Sequence, residues 1–105
     1  MVRVVTTIAS VGFLAAAAPA AAQPGDPVAG RALAIELCGS CHLVPGSLRP
    51  VPDGVPSFAA IARKWTDAEE LADRLILPPH PVMPPPPLTN RQRRDVAAWI
   101  LSLRE

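Results

Sequence analysis

Lysine is almost missing from this chain: Lys64 is the only one among 105 residues. No polybasic face for nucleic acid is built from such a composition, and no acidic run forms a tail. Cysteine is equally scarce, with Cys38 and Cys41 the whole supply. No segment shows a run of alternating strand pattern, which removes the βαβ setting that thioredoxin-like cysteine pairs use. There is no internal repeat. No nucleophile–base set or catalytic carboxylate pair stands out, so the sequence offers no catalytic residues. Asp67, Glu69, Glu70 and Asp73 crowd one helix start, where capping and the helix dipole explain them.

Long apolar runs are missing too. The longest, Val4 to Ala18, falls short of the about 20 residues that a transmembrane helix needs. Arg3 precedes it, Pro19 breaks it, and Ala20-Ala21-Ala22 offers a small-residue cleavage site. This is the pattern of a secretory signal peptide. The expected division is residues 1–22 as leader and 23–105 as one domain, with an uncleaved anchor as the alternative. No cysteine stands at the cleavage site, which argues against a lipoprotein. Loss of Arg3 balances the two signs of charge. The expected location is the periplasm, without membrane insertion of the mature chain. Thiols do not stay free for long in such an oxidising compartment. A domain of roughly 80 residues also has a marginal core unless something staples it.

Helical periodicity accounts for most of the mature chain. Asp26 caps and Pro27 opens a helix predicted to run to about His42, with Ala29, Leu33 and Leu37 as its apolar stripe. A loop rich in proline and glycine follows. Ser57 caps a short helix with Phe58, Ile61, Ala62 and Trp65 on one face. Thr66 and Glu69 read as a capping box for the next helix, with Leu71, Ala72, Leu75 and Ile76 inward. Pro78 and Pro79 stop it. The segment PPHPVMPPPP is predicted to be stiff and extended. Thr89 and Gln92 form a second capping box, ahead of a helix that buries Val96, Trp99, Ile100 and Leu103 and wets Arg91, Arg93 and Arg94. The expected fold is all-α, with four or so helices and one proline strap.

The chemistry concentrates in CGSCH, Cys38 to His42. A thiol–disulfide pair lacks its strands. Zinc could count Cys38, Cys41, His42 and His80 as four ligands, but adjacent Cys41 and His42 point in different directions on a helix. Covalent c-type haem fits best: C-x-x-C-H sets two thiols at the spacing of the two haem vinyl groups and puts His42 under the iron. For the sixth ligand the mature chain offers Met83, held in the proline strap, or His80. Met/His ligation raises the reduction potential relative to bis-His.

With these residues named, the chain resembles class I cytochrome c, the small bacterial monohaem kind, from about Asp26 to Leu103. Gly30 stands eight residues before Cys38, like the family glycine at the crossing of the first and last helices, and Trp99 matches the aromatic residue there. VPSFAAIA resembles the segment whose proline carbonyl bonds the proximal imidazole, which implies Pro56 as the partner of His42, with Pro52 as fallback. MPPPPLT is similar to the family's Met-Pro segment. AEELADRLI resembles its middle helix and implies Arg74 as a haem-propionate partner. Ala34 stands where relatives carry a first-helix aromatic, so Leu33, Val96 and Trp99 are expected to fill the crossing. The resemblance implies a cytochrome c-like fold around one covalent haem c with its iron. It implies a monomeric carrier of single electrons to redox partners such as an oxidase, reductase or dehydrogenase, and not an enzyme. The alternative is a haem-based ligand sensor or small haem enzyme with a displaceable sixth ligand.

Overall fold

The computed structural model describes residues 1–14, 24–76, 83 and 85–104. The proposed cleavage site, most of the proline strap and His80 lie outside them. Four helices carry the fold: α1 (Pro27–Cys38), α2 (Phe58–Lys64), α3 (Ala68–Arg74) and α4 (Asn90–Ser102). No strand occurs among the described residues, so the all-α expectation holds.

Local chemistry sets the helix starts. The Asp26 carboxylate accepts from the Val28 N–H, and Pro27 supplies a first residue whose missing N–H costs nothing there. Ser57 accepts from Ala60 N at α2. Thr89 and Gln92 exchange bonds of 3.1 and 2.9 Å, the full capping box expected for α4. At α3 the cap differs from the expectation. Asp67, not Thr66, accepts from the Glu70 N–H at 2.9 Å. A carboxylate is the stronger acceptor and also favours the positive helix end.

α1 also ends earlier than expected, at Cys38 rather than near His42. The chain then tightens: both Cys41 N–H and His42 N–H donate to the Cys38 carbonyl, at 3.2 and 3.0 Å. The buried face of α1 is another correction. It consists of Gly30 and Ala34, while Leu37 is exposed and Leu33 half-buried. Small residues line the seam because α4 comes too close for large ones. A Cβ on Gly30 would run into the backbone of Asp95 and Val96, and one on Gly25 into that of Arg94 and Asp95. Gly30 therefore does what the resemblance implied for it.

Asp95 completes the crossing, and nothing in the sequence reading singled it out. It is 4 % exposed and accepts from the Asp26 N–H at 2.8 Å, tying the start of α1 to α4. On the other side of α4, two arginines expected in solvent are bonded instead. Arg93 reaches Asp73, Asn90 and the Ala72 carbonyl, and Arg94 reaches Glu69. They fasten α3 to α4.

α4 is the hub. Among the described residues α1, α2 and α3 each pack on α4, and none of them packs on another. Val96, Trp99 and Ile100 form the buried face of α4 and meet Phe58, Ala62, Leu71 and Ala72. The space left between α1 and the α2–α3 pair opens beside His42. Among the described residues, no helix is long and apolar enough to cross a membrane.

Candidate functional site

His42 is the one buried histidine among the described residues, at 7 % exposure. Its position follows from the turn after α1 and from the loop that returns over it. That loop reverses at Gly46 and Gly54, whose φ values of 79° and 80° lie in the left-handed region that favours glycine. It brings the Pro56 carbonyl oxygen to 2.7 Å from His42 Nδ1. A carbonyl only accepts, so Nδ1 carries the proton of this bond. In the neutral ring Nε2 then keeps its lone pair, and no described residue bonds to it. Phe58 flanks the imidazole, with ring centroids 5.5 Å apart, and in turn meets Trp99 edge-on at 4.9 Å. The Phe58 N–H donates to the Leu43 carbonyl at 3.1 Å. The imidazole is thus fixed from the loop and from α4 together.

Two cavities border this ring. One, of about 260 Å³, has Cys38, Cys41, His42, Pro52, Met83 and Pro86 among its lining residues. The second, of about 420 Å³, is lined by Phe58, Leu71, Met83 and Ile100, with Lys64 and Arg74 among its charged residues. Cys38, His42 and Met83 are common to both, so they are two lobes of one cleft. Their size and apolar walls suit a flat organic cofactor. Cys38 is half-buried and Cys41 exposed. Burial pushes the Cys38 thiol above its ordinary range, and the charge of Cys41 beside it adds to the rise.

The predicted site residues thus meet around one space. Cys38, Cys41, His42, Met83, Pro52, Pro56 and Arg74 all border the cleft. His80 lies outside the described residues. The zinc reading gains nothing: among the described residues no three His, Cys, Asp or Glu side chains are grouped to hold a metal ion. Among the lining residues not foreseen as part of the site, two lie at the end of α2. Lys64 and Trp65 border the larger lobe, and the Lys64 ammonium lies 6.0 Å from the Trp65 ring centroid. Their signal was their place at the end of α2, where the sequence pattern read only a packing face.

The residues fit a covalently bound haem. Two thiols stand at the mouth of an apolar cleft, an imidazole with one uncommitted nitrogen borders it, and a thioether lines both lobes.

Comparison with known proteins agrees. Residues 27–104 match the cytochrome c family. Cytochrome c-552 of Bradyrhizobium diazoefficiens is 38% identical over 89 residues, covering 85% of this chain and 86% of that protein. No solved structure matches. The chain belongs to the cytochrome c family: a monohaem electron carrier rather than an enzyme, with haem c attached through Cys38 and Cys41.

Proposed function

We propose that this protein is a periplasmic carrier of single electrons, in which His42 and Met83 would hold the iron of its haem and redox proteins would be its partners. The observation that carries this reading is the set of groups on one cleft: His42, held by its Nδ1–H on the Pro56 carbonyl at 2.7 Å, and Met83, which lines both lobes beside it. Haem c, once attached, supplies a one-electron ferric/ferrous couple. The chain's residues do the rest. Pro56 holds the imidazole in one tautomer and raises its basicity as a ligand. The apolar walls keep water from the centre, and a thioether ligand favours the reduced state. Arg74 offers a guanidinium to a propionate at the edge of the larger lobe.

Export rests on the N-terminus. Among residues 1–14, Val2, Val4, Val5, Ile8, Val11, Phe13 and Leu14 are all at least 82 % exposed. Such a segment adds nothing to the domain core and is suited to removal. Cleavage after Ala22 leaves a monomeric domain of residues 23–105.

Replacing Met83 by Ala tests the ligand set. The expected result is loss of the weak long-wavelength iron–methionine band, a lower midpoint potential and binding of CO by the ferrous protein. An unchanged spectrum would contradict Met83 ligation. Intact mass of the exported protein checks the leader: a chain starting at Gln23 is expected, and a retained N-terminus would refute cleavage.

A further inference from the structure

Away from the cleft, a pocket of about 250 Å³ lies where α1 meets the loop that follows His42. Two guanidiniums line it from separate segments, Arg31 from α1 and Arg49 from the loop, and both residues are exposed. The nearest acids in the chain are Asp26, Glu36 and Asp53. None of them lines the pocket, and the Asp26 carboxylate is committed to the Val28 N–H. The ion pairs among the described residues use Arg93 and Arg94 instead. Two like charges thus share one pocket without a carboxylate from the described residues, an arrangement that a bound anion relieves.

The rest of the lining suits such a ligand. A Cβ at Gly39 would meet the Ile35 carbonyl oxygen at 2.6 Å, and Gly46 has a φ of 79°, so the backbone keeps both positions free of side chains. Ser47 adds a hydroxyl. Its oxygen accepts the Arg49 N–H at 3.1 Å, and its own N–H donates to the Val44 carbonyl at 3.0 Å. The loop is held in a turn beside the pocket, and the Ser47 O–H keeps a proton to donate. Ile35, Val44 and Pro45 supply an apolar wall.

We propose that this pocket is a binding site for a small oxyanion of two negative charges, held between Arg31 and Arg49 with the Ser47 hydroxyl as a third donor. A guanidinium presents paired N–H groups that match two oxygens of a phosphate or a carboxylate. Two guanidiniums select a dianion over a monoanion. The apolar wall accepts a short carbon skeleton, so inorganic phosphate and a small dicarboxylate share the required chemistry. Both arginines are exposed, and screening keeps the affinity in the millimolar range. Among the described residues the pocket shares no lining residue with the haem cleft, so the site stands or falls apart from the ligand set of the iron.

The test is a titration of the reduced holoprotein with inorganic phosphate, and separately with succinate, followed by backbone amide shifts in NMR. It is run at about pH 8, where both probes are largely dianions, and at constant ionic strength. Saturable shifts centred on Gly39, Gly46 and Ser47 are expected, with acetate at least about fivefold weaker. Arg31→Gln and Arg49→Gln are each expected to weaken binding about fivefold, and the double variant to abolish saturation. Arg91→Gln, at an exposed position that does not line the pocket, is expected to stay within about twofold of wild type. Saturation by either probe upholds the site, and the tighter one names the carrier of the two charges. Shifts that rise without saturating, or that spread evenly over the surface, would overturn the proposal. So would binding that survives the double variant, binding that centres on Lys64 and Arg74 instead, or acetate that binds as tightly as the dianions.

Discussion

The two sides of α1 are built on opposite plans. Towards α4 the helix presents Gly30 and Ala34, and the backbones meet so closely that no Cβ fits at Gly30. Towards the cleft it presents Leu37 and Cys38, which face a cavity instead of another helix. The first seam is completed by the chain alone, through backbone contact and the buried Asp95. The second is completed by a group the chain does not encode. One small domain thus holds a finished half and an unfinished half. The haem is the staple that a chain of this size lacks, because the missing apolar volume lies where helix–helix contact is absent.

The harshest way to break this comparison is to withhold the group. A Cys38→Ala/Cys41→Ala double variant cannot attach haem, and it is expected to lose the cooperative thermal transition of the holoprotein. Circular dichroism during heating checks this. A haem-free chain that melted at the holoprotein temperature would show that the cleft side completes itself.

The finished side is broken at Gly30. Gly30→Ala forces a Cβ into the Asp95 backbone, and the two helices must separate. A loss of about 3 kcal/mol is expected in denaturant unfolding of the holoprotein, with the haem spectrum little changed. Asp95 gives a smaller effect at the same seam. Asp95→Ala leaves the Asp26 N–H without its acceptor and is expected to cost about 1–3 kcal/mol. Asp95→Asn keeps an acceptor oxygen and is expected to recover part of that loss, which the same titration measures.

The least effect is expected at the ion pairs between α3 and α4. Arg93 has a side chain only 13% exposed and bonds a backbone carbonyl as well as Asp73, whereas Arg94 is 33% exposed and pairs with a mostly exposed Glu69. Arg93→Ala is expected to cost about 1 kcal/mol and Arg94→Ala about half of that or less. Equal costs would mean that the carbonyl contact of Arg93 contributes nothing.

The helices were largely legible because their starts rest on side chains next to the bonds they make. Asp26, Ser57 and the Thr89–Gln92 box are local signals, and the structure contains each of them. The α3 start was misread because Thr66 and Asp67 are adjacent caps, and only the backbone direction decides which one reaches an N–H. The stripe Ala29, Leu33, Leu37 has helical spacing, but spacing does not say whether an apolar face meets a helix or a cofactor. The family resemblance pointed to Gly30, and the crossing carries the reason for it. Asp95 and Arg93 were hidden because their partners lie 69 and 20 residues away. In the site, CGSCH named its own chemistry. The approach of Pro56 to His42 spans 14 residues of irregular loop, which periodicity does not describe.

The most direct measurement is the visible spectrum, oxidised and dithionite-reduced, of the protein exported from a host that attaches c-type haem. It is read beside a denaturing gel stained for haem. The account predicts sharp reduced α and β bands, haem that stays on the chain in the gel, and the weak long-wavelength iron–methionine band in the oxidised state. A colourless product, or haem that leaves the chain on denaturation, would contradict it.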